Sequence, residues 1–456
     1  MFARYLILAT ADVLQRLSRF DAPADITLAQ FQRENPKLGS RDRHQIANAA
    51  FAALRFWPLI QSWLGHSTTP TPANSRSNTA VDERLGLIAL ALDAQGLLTP
   101  PLTSEQHLEI LQRAKSWDSA GMHHAWLDAC MAKAQTFAAP LTSGLQHNLP
   151  EWLAQTLQAQ YGDAAFGALA QSLKQTAPLD LRVNLLTHKR NVVLQQLAEQ
   201  GIVCAATPYS PWGLRLQGKP SLRQNPLMQS GALEVQDEGS QLLALLTGAK
   251  RGETVVDFCA GAGGKTLALG AMMRNTGRLY ALDNSAHRLD GLQPRLKRSG
   301  LNNVHTLVLQ SETDERLARL RGKADRVLVD APCSGLGTLR RHPELAWRNS
   351  LRSIEELQQT QRRILDSAAS LLKPGGTLVY ATCSLLEQEN GAVNHVFTQA
   401  NASSFTPFDW TATLEKHGLT NLQKPGHHAG VPNAIALLPH LHQTDGFYVA
   451  AWQKNH

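Results

Sequence analysis

Three short stretches of the 456-residue chain gather side chains able to do chemistry. The first, Val255-Val-Asp-Phe-Cys-Ala-Gly-Ala-Gly-Gly-Lys-Thr266, runs an apolar strand pattern into a glycine-rich turn that opens a helix. Gly261, Gly263 and Gly264 allow the backbone close to a ligand, and the first N–H groups of the helix are free to bind it. Two nucleotide signatures nearly fit. The P-loop pattern G-x-x-x-x-G-K-[ST] ends correctly in Gly264-Lys265-Thr266 but needs a glycine where Cys259 stands, and the dinucleotide pattern G-x-G-x-x-G needs one where Thr266 stands. The next strand candidate closes on Asp283, 22 residues after Gly261. A carboxylate there accepts both hydroxyls of a ribose. A nucleoside-binding turn is expected.

The second stretch is Asp330-Ala-Pro-Cys333 and the third Ala381-Thr-Cys383-Ser384, each at the carboxyl end of an apolar run. Either cysteine alone reads as a small buried residue. At equivalent strand ends, with Asp330 between them and the nucleoside turn, they suit one reaction. Carbon 5 of a pyrimidine is a poor nucleophile toward a methyl sulfonium. A thiolate added at carbon 6 pushes electron density onto carbon 5, a nearby acid holds the base edge, and a base must finally remove the carbon-5 proton.

The elements that position these residues follow from hydrophobic periodicity. Strand candidates at 254–258, 278–282, 304–309, 326–329, 377–381 and 447–452 alternate with helical segments at 265–273, 285–299, 353–372 and 387–399. This is an α/β pattern of the Rossmann-like, doubly wound kind, with ligands at the carboxyl ends of the strands. Upstream, a helix to about 176, a strand at 179–186, a helix at 189–201 and a strand at 213–216 form a small α+β module. The first third is helical. Leu6, Val13, Leu14 and Leu17 share one face, as do Ile46, Ala50, Ala53, Leu54 and Trp57, and Pro58 is expected to interrupt the latter helix. Residues 66–78 read as a polar, proline-punctuated loop. The division expected is 1–142 helical, 143–235 α+β, and 236–456 catalytic.

Composition narrows the class. The net charge of +7 with a pI near 9.2 permits a polyanionic partner. No apolar run reaches the roughly 18 residues of a membrane span, the N-terminus lacks a signal-peptide layout, and five cysteines without a CxxC pair speak against disulfides and structural zinc. His427-His428 and the other histidines show no ligand spacing, so no metal is assigned. A cytoplasmic monomer with no membrane partner is expected.

With these residues assembled, the chain resembles the bacterial 16S rRNA cytosine-C5 methyltransferases of the Sun/Fmu kind. The likeness extends to Leu181-Arg-Val-Asn184, Val235-Gln-Asp-Glu238-Gly-Ser-Gln241, Arg340-Arg-His-Pro343, Trp347 and Thr444-Asp-Gly-Phe447, while Leu38-Gly-Ser-Arg-Asp-Arg43 resembles a NusB-like RNA-binding domain. The resemblance implies a class I S-adenosylmethionine-dependent methyltransferase acting on RNA, above all rRNA. It implies Cys383 as nucleophile, Cys333 as the thiol assisting release, and Asp330 at the cytosine edge, with Lys265 beside them. Cys259, Ala260, Gly261, Ala262, Gly263, Gly264, Lys265, Asp283 and Asp330 would line the cofactor site. Two departures stand out. Gly261 and Ala262 replace an Ala-Pro pair, and Glu312 stands nearest to the usual adenosine-contacting aspartate. Arg340-Arg341, with Arg348 and Arg352 beyond, is expected to hold RNA phosphates, and Trp347 to stack on a base or sit in a core. The alternatives are a non-catalytic RNA-binding or ribosome-assembly factor, a tRNA enzyme, or a DNA methyltransferase.

Overall fold

A computed structural model describes residues 4–65, 82–96, 98, 102–135, 142–218, 220–422 and 433–456. The loop expected at 66–78 and the pair His427-His428 fall outside them. The chain parts into two compact units, one of residues 1–176 with 338–351, the other of 177–337 with 352–456.

The first unit is helical: α1 (Arg4–Leu17), α2 (Ala24–Glu34), α3 (Ser40–Arg55), α4 (Trp57–Leu64), α5 (Glu83–Gln95), α6 (Ser104–Trp117), α7 (His124–Gln135), α8 (Ser143–His147), α9 (Glu151–Tyr161) and α10 (Asp163–Lys174). The face of Leu6, Val13, Leu14 and Leu17 is buried, as is that of Ile46, Ala50, Ala53 and Leu54. The helical run breaks at Phe56, between α3 and α4, as expected ahead of Pro58, which sits in the first turn of α4, where its missing N–H would have had no intrahelical partner anyway. The helices α8 to α10, assigned to the middle module from the sequence, fall within this compact unit, whose first segment runs to 176. The apolar faces of α9 and α10 find each other and α8 before any strand is reached.

The second unit opens with an antiparallel sheet of four strands, β1 (Asp180–Val183), β2 (Cys204–Ala206), β3 (Gly213–Leu216) and β4 (Leu233–Val235), in the order β2-β3-β1-β4. The remaining strands are β5 (Thr254–Asp257), β6 (Arg278–Asp283), β7 (Val304–Val308), β8 (Ala324–Asp330), β9 (Leu372–Thr382), β10 (Phe405–Pro407), β11 (Ala434–Leu437) and β12 (Phe447–Lys454). They form one sheet in the order β10-β12-β9-β8-β5-β6-β7, with β11 paired to β12. β7, β6, β5, β8 and β9 run parallel, and β12 returns antiparallel to β9. The architecture is a Rossmann-like, doubly wound fold with antiparallel strands at one edge.

Period-two alternation explains why this sheet is covered on both faces. Val256, Val327, Val329, Leu378 and Tyr380 pack with Ile364, Leu365 and Ala368 on one side. Val255, Leu328, Val379 and Ala381 pack with Leu242, Leu245, Leu246 and Leu269 on the other. Each such large apolar side chain contributes about 1.5–3 kcal/mol by leaving water. Strand order reverses about β5, which has β6 on one side and β8 on the other. A crevice opens there, at the carboxyl ends of the strands.

Candidate active site

Asp257 ends β5, and the chain then turns through Gly261 (φ 55°) and Gly263 (φ 81°) into the helix Gly264–Met272. Both φ values lie in the left-handed region that glycine adopts without strain. A Cβ on Gly263 would stand 2.1 Å from Leu292 Cδ1, so that position also needs the missing side chain for packing. Ala260 N–H donates to Leu282 O at 2.8 Å, tying the turn to the end of β6. Asp283, which ends β6, accepts Gly261 N–H on Oδ2 at 2.8 Å and Ser285 N–H on Oδ1 at 2.8 Å. Each carboxylate oxygen keeps a second lone pair for a ligand.

The helix start is not a phosphate cradle. Lys265 Nζ donates to Asp330 Oδ2 at 2.6 Å, and Thr266 Oγ1 donates to buried Asp257 Oδ2 at 2.7 Å. The two side chains that would serve phosphate and Mg²⁺ in a P-loop are therefore engaged with carboxylates. Burial works against the Lys265 charge, yet the attraction of Asp330, followed by Cys383 and Asp257, raises its pKa. Burial pushes the Asp257 carboxyl up to about 7, against the hydrogen bond from Thr266.

The replacement of Ala-Pro by Gly261-Ala262 leaves the turn well braced. Arg295 donates to Ala262 O and pairs with Glu234 Oε2 at 2.9 Å, while Arg182 donates to Gly264 O at 2.5 Å and to Gln236 Oε1. Two arginines thus hold carbonyl groups of the turn, doing the stiffening that a proline ring would otherwise do.

The cysteines arrive on neighbouring parallel strands. β8 ends at Asp330, three residues before Cys333, and β9 ends at Thr382, next to Cys383. Asp330 is in register with Ala381, and Ala331 N–H donates to Ala381 O at 2.9 Å, so the two exits run side by side. The sulfurs stand 3.2 Å apart, and Cys383 N–H points at Cys333 Sγ at 3.3 Å. The Cys333 thiol is pushed well up, first by its hydrogen bond to Cys383, then by burial and by the negative charges of Cys383 and Glu389.

A cavity of about 560 Å³ joins these features; its lining includes Phe258, Asp283, Asp330, Pro332, Cys333 and Cys383. This size suits a nucleoside-containing ligand. Burial and then the charges of Asp330, Asp257 and Asp283 push the Cys259 thiol well up, against the charge of Arg288. Cys259, Ala260, Gly261, Ala262, Gly264, Lys265 and Glu312 line the same cavity, whereas Gly263 serves the turn from behind. Glu312 is already committed: Arg363 Nε donates to its Oε1 at 2.7 Å. It faces the cavity as half of an ion pair, beside Gln310 and Ser311.

One expectation about the surface needs correction, that for Arg340, and of the two readings of Trp347 the core position is the one found. Arg340 and Trp347 are 4% and 6% exposed, and they belong to the helical unit. Trp347 lies 6.0 Å from Phe20 between ring centroids, and Arg340 O accepts Arg55 Nη2 at 3.1 Å. Glu344 Oε1 accepts Ala24 N–H, the first residue of α2, at 3.1 Å. Arg340 reads as a surface residue, and Trp347 as open to either place, because their neighbours Arg55 and Phe20 lie 285 and 327 residues away in sequence. Trp347 is therefore a core residue and Arg340 a structural one. Sequence reasoning also passed over Glu389, a fully buried carboxylate behind the two cysteines. Its only sequence signal is its place six residues after Cys383.

Residues 244–453 match the family described as 16S rRNA methyltransferase RsmB/F, and residues 149–223 match the Methyltr_RsmF/B-like ferredoxin-like domain. A probable ribosomal RNA small subunit methyltransferase B of Synechocystis is 36% identical over 317 residues, covering 69% of this chain and 68% of its own. A ribosomal RNA small subunit methyltransferase B of Escherichia coli O157:H7 is 33% identical over 398 residues, covering 86% and 90%. Among solved structures, a methyltransferase homolog protein from Pyrococcus horikoshii is 28% identical, with a TM-score of 0.57 over 68% of this chain and 97% of its own.

Proposed function

The chain belongs to the 16S rRNA methyltransferase RsmB/F family, and is an S-adenosylmethionine-dependent RNA cytosine-C5 methyltransferase; from that premise we propose which residues do the work. The observation that carries the assignment is the 3.2 Å approach of Cys333 and Cys383 inside the cavity that Asp283 closes.

Asp283 takes the ribose hydroxyls of the cofactor, and the Cys259–Gly264 backbone wraps it, with Phe258, Leu309 and Ile364 as apolar walls. S-adenosylmethionine supplies an electrophilic methyl group on a sulfonium. Cys383 adds as thiolate to carbon 6 of the target cytosine, forming a C–S bond and raising electron density at carbon 5. Cys333, held as a thiol, donates its S–H toward Cys383 while that sulfur is anionic. Asp330, oriented by Lys265 Nζ, holds the amino edge of the base. After methyl transfer a solvent water takes the carbon-5 proton, the C–H electron pair re-forms the C5–C6 double bond, and the C–S bond breaks to return its pair to Cys383 as a thiolate, which the Cys333 S–H hydrogen-bonds as it leaves.

The helical unit, NusB-like in its resemblance, and the α+β module serve RNA binding, and small-subunit rRNA is the substrate. We read the enzyme as a monomer that acts where its rRNA substrate is found, in the cytoplasm. No helix among the described residues is long and apolar enough to cross a membrane. The test is bisulfite sequencing of total RNA with and without the gene. One small-subunit cytosine should lose its 5-methyl mark in the deletion, and an unchanged methylation map would refute the assignment.

A further inference from the structure

The loops that carry the two cysteines meet at a third residue. Glu389 is fully buried. Its Oε1 accepts Ser334 N–H at 2.8 Å and Gln361 Nε2–H at 3.0 Å, and its Oε2 accepts Ser334 Oγ–H at 2.5 Å and Ser384 Oγ–H. Ser334 directly follows Cys333, and Ser384 directly follows Cys383. The two hydroxyls stand 3.2 Å apart, the same spacing as the two sulfurs one residue earlier. A carboxylate offers about four lone-pair sites, so one acceptor group satisfies both loops at once. Gln361 extends the node, donating also to Pro332 O at 3.0 Å on the upstream side of Cys333. Asn390 secures the other loop: Thr382 Oγ1 donates to its Oδ1 at 2.5 Å, and its Nδ2 donates to Ser384 O at 3.0 Å.

We propose that Glu389 is the positioning residue that sets the spacing of the two reacting thiols, through Ser384 for Cys383 and through Ser334 for Cys333. The proposal rests on the two-thiol reading of the site. Both cysteines leave the sheet on short loops, and a sheet alone fixes only the strand ends. A shift of about 1 Å at a reacting atom costs on the order of 100-fold in rate. Glu389 touches neither substrate nor sulfur, so its positional effect passes through the serines, while its charge acts on Cys333 through space.

Two features of the node make it testable without emptying the core. In Glu389→Gln the amide oxygen keeps the Ser334 and Gln361 N–H donors, while the two hydroxyls turn and accept from the new amide N–H groups. Geometry is retained. Ser334→Ala and Ser384→Ala each cut one loop from the node and remove a single oxygen.

The experiment compares these variants in the full-length protein, using single-turnover methyl transfer to unmethylated small-subunit rRNA and covalent protein–RNA adduct on denaturing gels. Cofactor affinity is measured by calorimetry. In a Cys333→Ala background, where adduct persists, Ser384→Ala should slow adduct appearance by at least about tenfold. In the Cys333-intact protein, Ser334→Ala should let adduct accumulate where the parent shows none. Glu389→Gln should keep turnover within a few-fold of the parent, and Glu389→Ala should lose about 100-fold at unchanged cofactor affinity. If Glu389→Ala does not fold, the serine variants decide. Parental adduct kinetics in both serine variants would overturn the proposal. Absence of any adduct from Cys333→Ala would instead overturn the two-thiol reading beneath it.

Discussion

Cys333 Sγ and Cys383 Sγ face each other at 3.2 Å, within reach of an S–H···S⁻ hydrogen bond and well beyond the roughly 2.05 Å of a disulfide. The pair divides one reaction between two sulfurs. Cys383→Ala should abolish methylation and form no covalent complex with RNA. Cys333→Ala should attack and transfer methyl, then stall as a cofactor-dependent species that survives denaturing gels. A trapped adduct with Cys383→Ala and none with Cys333→Ala would exchange the roles. Full activity in both would leave the thiols as packing residues.

Asp283 should carry cofactor affinity. Its side chain is held by Gly261 N–H and Ser285 N–H, and Asp283→Ala removes an oriented charge from the cavity floor. Cofactor binding should weaken by about 1–3 kcal/mol by calorimetry. Unchanged affinity would take the residue out of the site.

Lys174 gives the helical unit a pH signature. Burial, aided by the nearby Arg55 charge, lowers its pKa to about 7, and its Nζ donates to Asn148 O at 2.5 Å. Between the folded value and the unfolded value near 10.5 the unfolded chain binds the extra proton. The wild type should therefore gain stability relative to Lys174→Met as pH rises from about 7 toward 10, and show no such gain below 7. Denaturant unfolding at several pH values reads this directly. A pH-independent difference between the two proteins would contradict a depressed lysine.

Glu344 should matter to the helical unit despite lying far along the chain. Glu344→Ala removes the acceptor for Ala24 N–H at the start of α2 and should cost about 1–2 kcal/mol of stability. Thermal unfolding checks it. An unchanged Tm would mean that water replaces the bond at no cost.

RNA affinity should respond to exposed cations of the helical unit. Lys37 and Arg41 are exposed, one before and one within the first turn of α3. If both meet phosphates, the double alanine variant should bind rRNA more weakly, and the slope of log affinity against log salt should fall in magnitude by about 0.7–0.9 per lost contact. An unchanged slope would move the RNA footprint elsewhere.

The central strands were legible because they are apolar and bounded by chemistry: β5, β6, β8 and β9 each end within two residues of one that the sequence had already marked. β2, β4, β10 and β11 were not read: no such residue marks their ends, and their identity comes from a neighbouring strand rather than from their own pattern. The same limit hid Glu389. A glutamate at the head of an amphipathic helical pattern reads as solvated, and only the hydroxyls of Ser334 and Ser384, brought together by β8 and β9, make its burial tolerable. Arg340 was misread for the converse reason: a basic run beside a catalytic loop looks like a nucleic-acid surface, and Arg348 and Arg352 of that run are indeed exposed, while Arg340 is packed by residues such as Arg55 from the other end of the chain.

Residues 338–351 belong to the helical unit although the rest of that unit ends at 176. On a translating ribosome the bundle must therefore wait for 175 further residues before its last piece emerges. At about 5–20 residues per second that delay is roughly 9–35 s. During it the ring of Phe20, which sits 5.8 Å from Trp57 and 6.0 Å from Trp347, keeps only the first of these neighbours, and the N-terminus of α2 lacks Glu344. The bundle stays open until the Asp330-Ala-Pro-Cys333 segment has been made, so a chain released early carries an exposed aromatic surface and no complete pair of thiols.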